Sequence, residues 1–103
     1  MVGRGQVWWS ESPDWGRRPV LVLTRDAVAE RLSSVMVAMI TTVHRDIPTE
    51  VALDTDDGLP RSCVVNLDNV VTTPVAYLVA PITRLRPGRM SEVCRALAHA
   101  TGC

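Results

Sequence analysis

Pro19 and the apolar run behind it constrain this chain most. Gly16-Arg17-Arg18-Pro19 leads into Val20-Leu21-Val22-Leu23-Thr24. The run is too short to span a membrane and too rich in β-formers for an average helix, so it reads as a buried strand. Proline fixes its own φ and biases the residue before it toward extended backbone, which starts the strand here with Arg18 at its mouth. A guanidinium on a rigid element suits an anion, and a solvated charge pair flanking an apolar strand is the other reading of the same residues.

Similar short runs recur along the chain. Gln6-Val7-Trp8-Trp9 reads as a first strand, joined to the Pro19 strand by a turn-rich segment, Ser10 to Gly16, that suggests a hairpin. Trp15 in that segment is either a packing plug or a stacking platform for a base. Val35 to Ile40 is a continuous apolar strand ending in Thr41-Thr42, and Ile47 to Leu53 alternates as a half-exposed strand, with Pro48 marking an edge or a start. Cys63 to Leu67 is a further strand, continued by Asp68 to Pro74, and Tyr77 to Ala80 adds a short pairing before Pro81. Between strands, Arg25 to Ser34 reads as a loop or one or two turns of helix, with Val28 and Leu32 four apart and Asp26 as a cap. Near the end the period changes: Val93, Cys94, Leu97, Ala98 and Thr101 recur at helical spacing, with Ser91 as a cap and Gly102 as a stop. A mainly β fold with a C-terminal helix packed on a small sheet follows.

With 103 residues, 47% of them hydrophobic, the chain can bury one modest core, so a single domain over residues 1–103 is expected. Its 11 basic residues, all arginine, balance 11 acidic ones, so nothing global points to nucleic acid. Charge is nonetheless uneven: four acids accompany Arg61 between Ala52 and Val70, and four arginines accompany Glu92 from Val71 onward. Cys63, Cys94 and Cys103 form no C-x-x-C pair, and their odd number argues against a closed disulfide framework. With no signal peptide or spanning segment visible, a cytoplasmic chain without a membrane partner is expected.

Metal chemistry finds no support in the sequence. His44 and His99 are isolated, and no cysteine or carboxylate cluster has ligand spacing, so neither a metal nor a cofactor is expected. Asp54 to Pro60 has the carboxylates of a calcium loop without its spacing and reads as a solvated connection. Phosphate-binding and hydrolase motifs rich in glycine are absent too. A Cys63–His44 nucleophile pair can be drawn, but nothing in the sequence brings the two together. What remains is an arginine at one strand mouth and two hydroxyls at another strand's end, a combination able to bind a phosphate and stabilise charge developing on it.

Four blocks then line up. Gly5-x-Val7-Trp8-Trp9, Gly16-Arg17-Arg18-Pro19-Val20-Leu21-Val22-Leu23, Ala38-Met39-Ile40-Thr41-Thr42 and Ser62-Cys63-Val64-Val65-Asn66-Leu67-Asp68-Asn69-Val70 resemble, in order, those of MazF/PemK-type toxins of bacterial toxin–antitoxin pairs. The resemblance implies a small SH3-like or CcdB-like β-barrel with a helical C-terminus. It also implies a homodimer that cuts single-stranded RNA without a metal and is neutralised by a cognate MazE-like antitoxin. Arg18 matches the family's catalytic arginine and Thr41 its catalytic threonine. Asn69 falls where the family carries a glutamine near the RNA, Ser62 begins the same block, and Trp15, Arg17 and Thr42 complete the expected RNA contacts. Two features depart from the family: Gln6 replaces a common acidic residue, and the first loop lacks a Gly-Ser-Glu motif, leaving Glu11 as its nearest carboxylate. In the implied reaction Arg18 stabilises charge first and donates a proton second, Thr41 donates to the same oxygens, and His44 stands near them in sequence. A related toxin of the CcdB type, which acts on gyrase by contact, has no chemical need for the Arg18 and Thr41 pair.

Overall fold

The computed structural model describes residues 2–26, 31 and 33–103. Among the described residues, six strands form one antiparallel sheet: β1 (Gln6–Ser12), β2 (Gly16–Val22), β3 (Ser34–Thr41), β4 (Glu50–Leu53), β5 (Cys63–Pro74) and β6 (Leu78–Arg84). Their order is β4-β5-β3-β2-β1-β6, and one helix, α1 (Pro87–Thr101), follows. The helical turns expected around Val28 and Leu32 lie outside the described residues.

A bulge in β5 helps curl the sheet into a half-barrel. Ala38 of β3 faces Val70 of β5, whereas Met39 faces Asn66, so Leu67, Asp68 and Asn69 bulge out of the ladder. A bulge bends its strand and sharpens the twist. Consequently the first part of β5 pairs with β4, and its second part runs back along the start of β3. Alternation along the strands then divides the apolar side chains between two faces. Leu21, Leu23, Ala38 and Ile40 join Val51, Leu53 and Val65 beneath Val93 and Ala96 of α1. On the other side Val20, Val22, Val35, Val37 and Met39 pack with Leu78, flanked by Trp8 and Trp15.

Three local expectations are corrected. Pairing after Tyr77 does not stop before Pro81 but runs on to Arg84, because β6 is an edge strand, where a missing N–H is tolerated. The helix starts at Pro87, not at Ser91: Arg86 holds the cap position and Pro87 the first helical one, which loses no hydrogen bond by being proline. Ser91 instead donates its hydroxyl to the Pro87 carbonyl at 3.1 Å.

The third correction concerns the acidic stretch after β4, which is not a solvated connection throughout. Thr55–Asp57 forms a 3-10 turn capped reciprocally: Asp56 N–H donates to Asp54 at 2.9 Å, and Asp54 N–H donates to Asp57 at 3.0 Å. The Asp57 side chain is only 1% exposed. Arg89 of α1 donates to its two carboxylate oxygens at 2.9 and 3.2 Å, and Arg86 stands 3.6 Å away. Thr83 of β6 donates to the Asp57 carbonyl at 3.2 Å. Beside it Gly58 adopts φ +93°, and a Cβ there would lie 2.3 Å from the Thr83 hydroxyl, so this approach requires glycine. The turn following one sheet edge is thereby clasped to the other edge and to the helix.

Hydrogen bonds from Arg89 hold the Asp57 carboxyl below its ordinary range, outweighing burial, with help from the Asp54 amide. A depressed folded-state pKa stabilises fully above the unfolded value, near about 4, and that contribution is lost as pH falls through the folded value. Replacing Arg89 with alanine strips the buried carboxylate of its main partner and is expected to cost about 3 kcal/mol at neutral pH. The gap between wild type and variant in urea unfolding should narrow below about pH 4. An equal gap at neutral and acid pH would show that the charge pair is not its source.

Candidate active site

Pro19 ends the ladder between β2 and β3. The register pairs Val22 with Val37, Leu21 with Ala38 and Val20 with Met39, and goes no further. Proline has no N–H to extend it. Carried on by two residues, the same register sets Arg18 opposite Thr41. By alternation both belong to the face of Val20 and Met39. Each is half-buried at the open end of its strand. The Thr41 hydroxyl accepts a bond from the Val43 N–H at 3.2 Å, which leaves its own hydrogen free to donate outward.

Arg18 is braced from behind. The wholly buried hydroxyl of Ser10, its partner on β1, donates to the Arg18 carbonyl at 3.0 Å, and the Trp15 indole N–H donates to that hydroxyl at 3.0 Å. Trp15 also packs against the cluster around Val20. The geometry therefore gives this tryptophan the plug's position. Arg17, on the opposite face, pairs with Glu11 at 2.8 Å, and its guanidinium stands 4.8 Å from the Trp9 ring centre.

The remaining expected site residues divide. Thr42 and Ser62 lie at the same end of the sheet as Thr41, because β3 and β5 pair Thr41 with Val64 and both chains leave the ladder there. Ser62 Oγ lies 3.4 Å from His44 Nε2, so the turn histidine folds back toward the start of β5. Asn69 is exposed in the bulge, opposite the middle of β3 and not its Thr41 end.

A cavity of about 250 Å³ opens beside Thr41. Trp9, Pro19 and Pro60 line it with buried Ile40, Leu59 and Cys63, and Thr41, Thr42 and Arg61 complete the lining. Trp9, Leu59, Pro60 and Arg61 were not marked as site residues by the sequence. For the last three the one sequence signal is an apolar-proline-arginine triplet between an acidic turn and a strand, and for Trp9 it is its place in the first aromatic strand. Burial pushes the Cys63 thiol up, and Asp57 and Asp54 add to the shift, so it stays protonated and is unsuited to act as a nucleophile with His44. Among the described residues, no three of His, Cys, Asp and Glu gather as a metal-binding group, and no helix is long and apolar enough to cross a membrane.

Known proteins share this architecture. A family model described as PemK-like, MazF-like toxin of type II toxin-antitoxin system matches residues 3–101. The probable endoribonuclease MazF5 of Mycobacterium tuberculosis is 46% identical over 104 residues, covering 100% of this chain and 95% of its own. The probable endoribonuclease MazF2 of the same organism is 44% identical over 101 residues, covering 97% and 98%. Among solved structures, an endoribonuclease in complex with its cognate antitoxin from a mycobacterial species superposes with a TM-score of 0.90 at 31% identity, covering 99% of this chain and 96% of that one.

Ser10 is where bracing can be separated from chemistry. Ser10→Ala leaves the Trp15 indole N–H without its acceptor and should lower stability by about 1–2 kcal/mol in urea unfolding. An unchanged midpoint would remove the hydroxyl from the support of Arg18.

Proposed function

The chain belongs to the PemK-like, MazF-like toxins of type II toxin–antitoxin systems, and on that membership we propose that it is an endoribonuclease with Arg18 and Thr41 as its catalytic pair. Its substrate is single-stranded RNA, cut at selected sequences. The observation that supports the reading is the β2–β3 register: carried on past its last pair, it sets Arg18, a permanent cation, opposite Thr41, a hydroxyl donor, on one face of the sheet. Relatives of similar length named as endoribonucleases support it.

The available groups dictate the chemistry. An arginine and a threonine supply donors and positive charge, and RNA supplies the nucleophile. The substrate's 2′-oxygen attacks the neighbouring phosphorus as its proton departs, the bond to the 5′-oxygen breaks, and that oxygen takes up a proton. A 2′,3′-cyclic phosphate and a 5′-hydroxyl result, with no metal required. Arg18 faces the charge that accumulates on the non-bridging oxygens and is placed second in line as proton donor. Thr41 adds a hydrogen bond to the same oxygens. Arg17, Thr42 and Ser62 contact the strand on either side, Asn69 meets RNA further along, and Trp15 acts through the brace on Arg18.

Two chains form the working unit in this proposal, since Met36 of β3 and Val79 of β6 leave 44% and 46% of their surface exposed on the sheet. A cognate antitoxin neutralises the enzyme with a flexible acidic segment that competes with phosphates for the arginines. One superposable relative is itself described as bound to its cognate antitoxin.

Arg18→Ala is expected to reduce cleavage by at least about 100-fold while leaving thermal unfolding close to wild type, because the side chain adds little to the core. Normal cutting by that variant would exclude Arg18 from catalysis. A substrate with one deoxynucleotide on the 5′ side of the scissile phosphate should bind like the parent RNA and stay uncut, and a chelator should leave cleavage of the parent unimpaired. Cleavage of the deoxy substrate would overturn the 2′-hydroxyl mechanism.

A further inference from the structure

We infer that the cavity beside Thr41 is a nucleobase pocket, which holds one unstacked base of the RNA next to the scissile phosphate and helps set the sequence that is cut. The inference rests on the ribonuclease reading and adds to it a place where sequence is read. Four observations converge. The cavity of about 250 Å³ lies just below the range typical of pockets for drug-sized ligands, a scale that suits a single base. Its walls are flat and apolar, with the Trp9 indole and the rings of Pro19 and Pro60, as a stacked base requires. Its polar lining is limited to Thr41, Thr42 and the exposed Arg61 beside the Cys63 thiol, and the two hydroxyls and the guanidinium are available to the edge of an inserted base. Finally Thr41 borders both the cavity and the proposed catalytic end of β3, so a base seated here belongs to a nucleotide adjoining the cut.

Charge favours RNA as the occupant. Arg61 lines the cavity, and Arg17 stands 4.8 Å from the ring centre of Trp9, which lines it too. A base seated in the cavity thus has two cations near it to receive its flanking phosphates. The Arg17–Glu11 pair is exposed on both sides, with 52% and 54% of each side chain accessible, so phosphate can compete with the carboxylate at little cost.

The test walks a single abasic nucleotide through an RNA that the wild-type protein cuts. At one position next to the cut, loss of the base should raise KM about tenfold, the scale of one base–aromatic stack, without moving the cut. Trp9→Leu should raise KM by a similar factor on the intact RNA and be indifferent to the abasic nucleotide at that same position. Arg61→Gln, an exposed change that spares the core, should relax the base preference there and nowhere else. A wild-type enzyme insensitive to every abasic substitution overturns the pocket and leaves the ribonuclease reading standing. The same follows if both variants respond to the abasic series as wild type does. Unchanged RNA cleavage by Trp9→Leu with weakened capture of the antitoxin would assign the cavity to the protein partner. A wild-type protein that cuts no RNA overturns both readings.

Discussion

The carboxylate of Asp57 closes this molecule. A sheet ordered β4-β5-β3-β2-β1-β6 has two free edges, and a half-barrel with free edges has no backbone ladder to hold its rim. Here the closure is made by side chains. Asp57, at the end of the 3-10 turn that follows β4, takes two hydrogen bonds from Arg89 of α1, and its carbonyl takes a third from Thr83 of β6. Glu92 binds the other side of the same guanidinium at 2.9 Å, so Arg89 is fixed between two carboxylates and its pKa is pushed further up. An arginine suits this place because its fork meets two carboxylate oxygens at once, which a lysine ammonium does not.

What the clasp fixes extends to the cavity. Leu59, Pro60 and Arg61 follow Gly58 directly and form the wall facing Trp9 and Pro19. Their position is inherited from Asp57, since the 3-10 turn before them is capped at both ends and pinned to β6. The opposite wall is set by a different device, the β1–β2 hairpin, in which Trp9 pairs with Pro19 and Ser10 with Arg18. Two independent constraints thus meet across one opening. A ladder stopped by proline leaves that opening unfilled by backbone.

Strand positions were legible in the sequence because Val, Ile and Leu cluster in runs of strand length, and the two punctuating residues Pro19 and Gly102 act locally, through their own φ. Family resemblance supplied Arg18 and Thr41, which the β2–β3 register, carried on by two residues, sets opposite each other. The helix start was misread because Arg86-Pro87 carries no side-chain cap, so Ser91, a turn further on, offered the stronger signal. Asp57 was passed over because an aspartate among aspartates reads as solvated, and its partner lies 32 residues away. The same holds for Ser62 and His44, which are 18 apart and meet only because β3 and β5 are neighbours. Contacts of this kind are set by topology, which local pattern does not encode. The cavity walls belong to that class as well.

The two faces of the sheet also separate two tasks. Arg18 and Thr41 continue the face of Val20 and Met39, whereas Pro19 and Ile40 continue that of Leu21 and Ala38, which also carries Trp9 through Val7. In the proposed reading, chemistry falls on one face and base contact on the other, with Thr41 bordering both, so the two can change separately. Substitution at Trp9, Pro60 or Arg61 alters what fits the cavity without moving the arginine, because Arg18 is held through Ser10 and Trp15 on the far side. Substitution of Ser10 acts in reverse, disturbing the arginine and sparing the cavity. If the proposed roles hold, new cleavage sequences can arise by changing Leu59, Pro60 and Arg61, which lie between β4 and β5, while Arg18 and Thr41 keep their places at the ends of β2 and β3.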